Sequence, residues 1–257
     1  MSDLNTNPAA RYGGATRTAA EIDQGLRSYM LGVYNYMTIG LAITGLFALG
    51  IYMLSISGTP TPYQIRGGLY LTQLGYTLFV SPLKWVVIFA PLALVFFLSF
   101  RVDKMSVGAA QLTFWIYAAL VGTSLAVLLM VYTHTSIARV FFMAAATFGA
   151  LSLYGYTTKR DLSGMATFLF MGLIGVIIAS LVNIWLASSM MQWIISIVGL
   201  LVFAGFTAYD TQDIKNMYDA NDDGTVSGRK SIMGALRLYL DFLNIFLFML
   251  QLLGNRE

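Results

Sequence analysis

The sequence predicts an all-α membrane protein with seven transmembrane helices, and three observations carry that prediction. The 257 residues are 58% apolar and 11% charged, where a soluble domain is about 45–50% apolar and about 25% charged. The apolar residues fall in blocks near the roughly 20 residues that a spanning helix requires. Charged residues lie almost wholly between the blocks.

Seven blocks are legible, at about 30–54, 79–100, 107–131, 136–157, 165–187, 190–212 and 232–254. The segment before them, residues 1–26, is polar and lacks the apolar core of a cleavable signal peptide. It reads as a flexible cytoplasmic tail, leaving 27–257 as one seven-helix domain. The link 55–78, "SISGTPTPYQIRGGLYLTQLGYTL", is a loop by its Gly and Pro content, with Leu69–Leu78 apolar enough for the membrane interface. Basic residues set the orientation. With the N-terminus inside, eleven face the cytoplasm (Arg11, Arg17, Arg27, Arg101, Lys104, Lys159, Arg160, Lys215, Arg229, Lys230, Arg237) and four face outward (Arg66, Lys84, Arg139, Arg256). The C-terminus is then outside. The net charge of +3 is small and dispersed, which argues against nucleic-acid binding. There is no cysteine, so disulfides and thiolate chemistry are excluded.

The informative residues are the polar ones inside the blocks. A charge at mid-bilayer costs about 2.5–3.5 kcal/mol on the insertion scale, so such residues face the bundle interior and find a partner. In the last block, Arg237, Asp241, Asn244 and Gln251 fall within roughly 80° on a helical wheel at about 100° per residue. One polar seam on an otherwise apolar helix suits the centre of a bundle. Asp210, in "FTAYDTQDIKN" near the end of the sixth block, and Arg101, at the end of the second, reach the same cytoplasmic depth as Asp241. The plain reading of Asp241 is an i,i+4 ion pair with Arg237, and that of Asp210 is a solvated helix end. If the two aspartates meet instead, they cannot both ionise easily and titrate as a unit. With Arg101 beside them they form a pH sensor, and ionised they form a transient calcium site. Asp213 reads as interfacial, Asn183 as an interhelical hydrogen-bonding group, and His134 as an interface residue.

Other chemistries fit less well. The turn "DANDDGTVSGRK" places Asp219, Asn221, Asp223 and Gly224 as an EF-hand loop would, but its twelfth position is Lys230 where a bidentate Glu belongs. An intramembrane aspartyl protease would carry Gly-x-Gly-Asp, and Leu-Tyr-Leu precedes Asp241. A retinal protein needs a lysine in its last helix, and none occurs from Ser231 to Glu257.

The stretches "AYDTQDIKN", "LYLDFLNIFLFMLQLLG", "LYGYTTKRDLS" and "YMTIGLAITGLFALG" resemble the Bax inhibitor-1 family of transmembrane proteins, over about residues 27–254. The resemblance implies a bacterial member in the plasma (inner) membrane, with two three-helix layers around a central C-terminal helix. It implies a pH-dependent calcium leak regulated by an aspartate pair, here Asp210 and Asp241, with Arg101 as the linked arginine. No enzymatic activity and no cofactor are expected; calcium is the transported ion, and the bilayer and other membrane proteins are the partners. In this reading, deprotonation of the pair changes the packing of the second span against the last two. The alternative is a non-conducting membrane regulator that binds a partner protein.

Overall fold

A computed structural model describes residues 18–64 and 69–256. Most of the segment read as a tail, with Arg11 and Arg17, and also Arg66 of the link, lie outside the described residues.

Seven long helices cross the membrane-thick dimension, as the block pattern requires. The first, α1 (Ala19–Ser55), starts well before the apolar block because Thr18 and Glu21 form a reciprocal capping box. Residues 19–26 are therefore helical rather than part of a flexible tail. At about 1.5 Å per residue, its 37 residues exceed the roughly 30 Å hydrocarbon core. The link after it is partly ordered into β1 (Ile56–Ser57) antiparallel to β2 (Tyr70–Leu71), with Ile56 opposite Leu71. A short helix, α2 (Gln73–Phe79), follows, capped by Thr72.

The second span is α3 (Lys84–Arg101), ending in a 3-10 turn at Val102–Lys104. The third is α4 (Val107–Leu125) continued by α5 (Leu128–Val131). Then come α6 (His134–Thr157), α7 (Met165–Leu186), α8 (Ser189–Asn216) and α9 (Gly224–Leu253). Only Ala187 and Ser188 separate α7 from α8, and Ala187 takes a left-handed φ of 46° to turn the chain. The last helix begins at Gly224, ahead of its apolar block, because Asp223 Oδ1 accepts from the amides of Thr225 and Val226.

Packing sorts these helices by environment. The last helix, α9, packs against α1, α4, α6 and α8, while α3 packs on α4 and α7 on α8. Half of the apolar window of α9 is buried, against 11% in α3 and in α7. The outer helices instead expose large apolar side chains, such as Trp185 at 81% and Phe168 at 74%. Lipid can face such surfaces, because a helix satisfies its own backbone polar groups.

Close approach between helices rests on small residues. A Cβ on Gly122 would collide with the carbonyl of Thr44, joining α4 to α1, and one on Gly155 with that of Ala208, joining α6 to α8. At the centre, fully buried Tyr239 donates its hydroxyl proton to Thr44 at 2.6 Å, while Thr44 donates to the carbonyls of Gly40 and Ala118. The rings of Phe114 and Tyr117 meet Tyr239 edge-on.

Gly155→Val should lower the thermal stability of the purified protein by about 1–3 kcal/mol, the usual cost of overpacking. Gly45→Val, where no atom lies within 4 Å of the added Cβ, should leave melting unchanged.

Candidate functional site

The polar seam of α9 faces α8, and the two antiparallel helices meet through it at three levels. At the first, Arg237 Nη1 donates to Asp213 Oδ2 at 2.6 Å. Their side chains are 40% and 35% exposed, so this ion pair contributes modestly, under about 1 kcal/mol.

At the second level, Asp241 is 4% exposed and Asp210 is half-buried. The two carboxyls are near neighbours across the α8–α9 interface. Asp241 Oδ2 is buried with no hydrogen-bond partner among the described residues. The cation whose field reaches both carboxyls is Arg237.

At the third level, Gln251 Oε1 accepts from Gln192 Nε2 at 2.7 Å and from Ser196 Oγ at 2.9 Å. Gln192 Oε1 in turn accepts from Asn183 Nδ2 of α7 at 3.3 Å, the interhelical bond expected of that asparagine. Between the second and third levels the seam is apolar. Phe203 and Phe248 pack 6.0 Å apart, and Phe248 lies over Gly199, where a Cβ would not fit. Asn244 takes no part, since its Nδ2 donates to the Leu240 carbonyl of its own helix.

Three of the expectations for these residues change. Arg237 does not pair with Asp241; it reaches across to Asp213, which lies one turn beyond Asp210 and so shares the face toward α9. Asp210 is half-buried on the helix packed against α9 rather than a fully solvated helix end. Arg101 is not joined to the pair: it is exposed at the end of α3, with no hydrogen bond or ion pair among the described residues. The second span does touch the last at the turn after it, where Arg229 Nη1 donates to the Asp103 carbonyl.

Gln192 and Ser196 were not singled out from the sequence, although their i,i+4 spacing on α8 is a helical-face signal. Neither was a hydroxyl bridge behind the carboxyls, in which Tyr34 of α1 meets Ser152 of α6 at 2.6 Å and Ser152 meets Thr211 of α8 at 2.9 Å. The loop between α6 and α7 is tied to α8 by Gln212, which accepts from the Leu162 amide and donates to the Arg160 carbonyl. In that loop, hydrogen bonds from the Ser163 hydroxyl and amide hold the Asp161 carboxyl below its ordinary pKa.

The EF-hand-like turn takes the ordinary reading. Asp219 bonds to Asn221, Asp223 caps α9, and Asp222 pairs with Lys230 at 2.5 Å. Among the described residues no group of three or more His, Cys, Asp or Glu side chains is placed to hold a metal ion. His134 opens α6, with its ring edge-on to Tyr52.

The chain matches the family model described as "Inhibitor of apoptosis-promoting Bax1" over residues 26–257. It is 44% identical to the inner membrane protein YbhL of Escherichia coli over 235 residues, covering 91% of this chain and 94% of that one. An uncharacterized protein of Rickettsia prowazekii is 46% identical over 237 residues, 91% and 92% of the two chains. One from Caulobacter vibrioides is 40% identical over 259 residues and the full length of both.

The third level should be worth more to stability than its exposed position implies. Gln251→Leu removes two interhelical hydrogen bonds, each about 0.6 kcal/mol in a membrane protein, so melting should fall by about 1 kcal/mol. Arg237→Gln should cost less than that in the same assay.

Proposed function

The chain belongs to the Bax inhibitor-1 family of membrane proteins, and from that premise we propose that it is a pH-sensitive cation leak with calcium as its cargo, gated by the Asp210–Asp241 pair. The observation that carries this reading is the placing of two neighbouring carboxyls in the interface of α8 and α9, one of them 4% exposed with an unpartnered oxygen among the described residues.

With a proton between them, the carboxyls attract and draw α8 to α9. Without it, two like charges face each other, at roughly 4 kcal/mol for a 4 Å separation and an effective dielectric of 20. Relief requires the helices to shift or a cation to enter. Carboxylate oxygens are the ligands calcium prefers, so the event that loosens the seam also makes it attractive to the cargo. The rings of Phe203 and Phe248 close the way from the pair to the Gln192–Gln251 level. Movement of α9 also reaches the second span through Arg229 and the Asp103 carbonyl.

The orientation proposed from the basic residues is N-terminus in the cytoplasm and C-terminus outside. Because the chain has no cysteine, single cysteines report the side directly. Asn221→Cys should resist a membrane-impermeant maleimide in intact cells, and Asn255→Cys should react.

Calcium flux into dye-loaded liposomes should depend on pH between 5 and 8. Asp210→Asn and Asp241→Asn should each flatten that dependence, and Arg237→Ala should retain it. Phe248→Ala should raise flux across the whole range. Folded protein without flux at any pH would replace the leak with a non-conducting regulator that binds a partner.

A further inference from the structure

We propose that the cleft between α1 and α6 binds an anionic phospholipid, with its phosphate on Arg27 and the first part of one acyl chain between the helices. The cleft encloses about 470 Å³, and its walls include Arg27, Met30, Leu31, Tyr34, Phe148 and Gly149. It opens outward past Leu31 and Leu153, which are 53% and 63% exposed. In a membrane-spanning bundle that opening faces lipid.

The occupant follows from the polar groups. Of the polar side chains that line the cleft, Arg27 and Tyr156 lie toward the cytoplasmic ends of their helices, while Tyr34 and Ser152 bond to each other at 2.6 Å, with Ser152 also bonded to Thr211. A ligand buried there gains nothing by being polar. At the mouth, Arg27 is exposed and makes no hydrogen bond or ion pair among the described residues, although Asp23 lies one turn before it. Behind the neighbouring wall, Lys215 donates to the Tyr156 carbonyl and sits over the Tyr156 ring, adding positive charge near the same end. Arg27 is one helical turn ahead of Leu31, about 6 Å along the axis, and Tyr34 lies about 10 Å from it. That places the guanidinium at headgroup level with an apolar slot running into the bilayer below it. A guanidinium binds phosphate in bidentate fashion, and a cation near an anionic leaflet contributes about 1 kcal/mol. Gly149 leaves the slot open, since no atom lies within 4 Å of where its Cβ would be.

The test is native mass spectrometry of the full chain released from nanodiscs holding equal phosphatidylglycerol and phosphatidylcholine. Phosphatidylglycerol should be retained preferentially. Arg27→Gln should reduce that enrichment roughly fivefold, the effect of about 1 kcal/mol. Gly149→Leu should reduce retention by filling the slot, with unchanged melting as the check on folding. Lys104→Gln, which removes an exposed cation at the end of another span, should keep the enrichment. Equal retention of both lipids would overturn the proposal, as would an Arg27→Gln protein that enriches normally or a Lys104→Gln protein that loses as much. Retention unaffected by Gly149→Leu would exclude the acyl chain from the cleft. Displacement by soluble glycerol phosphate would show that the headgroup alone binds, and would overturn it too.

Discussion

Hydrocarbon offers no hydrogen-bond partner, so polar side chains along a buried membrane helix need partners within the protein, and α8 meets three of the four on the α9 seam. Asp213 takes Arg237, Asp210 takes Asp241, and Gln192 with Ser196 takes Gln251. The order of these contacts fixes the register of two antiparallel helices, because sliding either by one turn would strand all three. The fourth residue, Asn244, needs no partner because its own helix backbone supplies one.

The remaining helices arrange themselves around this pair by what α9 still has to bury. Its other faces present Ile232, Leu236, Leu238, Tyr239 and Ile245, each at most 1% exposed. These faces are covered by α1, α4 and α6, with Gly122 letting α4 approach α1 and Gly155 letting α6 approach α8. Hydroxyl pairs then lock the approach: Thr44 with Tyr239 on one side, Tyr34 with Ser152 and Thr211 on the other. The outermost helices, α3 and α7, carry no such bonds to α9 and turn their large apolar side chains outward. The bundle is therefore polar and specific at its axis and greasy at its edge, the reverse of a soluble domain.

In the proposed reading, a proton held between the two carboxyls makes the axial contact conditional. Arg237 sits beside the pair yet spends its hydrogen bond on Asp213, so its charge acts on both carboxyls without neutralising either by direct contact. An arginine bonded to Asp241 would have made a permanent ion pair. Directing it to Asp213 leaves buried Asp241 and half-buried Asp210 to each other, the arrangement that the proposed proton-dependent interface requires. The aromatic stretch between the pair and Gln251 packs Phe203 of α8 on Phe248 of α9.

The number of helices, their approximate spans and the polar seam were all readable from residues 27–254, because apolar block length and helical spacing are local properties. Capping chemistry was readable in principle as well: Thr18 with Glu21, and Asp223 ahead of Thr225, extend α1 and α9 beyond their apolar blocks. Apolarity marks where a helix is buried in lipid, whereas caps mark where it begins. What only the tertiary structure decided was the choice of partner. Sequence spacing offered Asp241 the nearby Arg237, and topology offered the pair Arg101, but Arg237 crosses to Asp213 and Arg101 stays exposed. Position along a chain tells a side chain's depth and face. Which neighbour it meets depends on how two helices are rotated and set against each other, and that is fixed by every contact along their length at once.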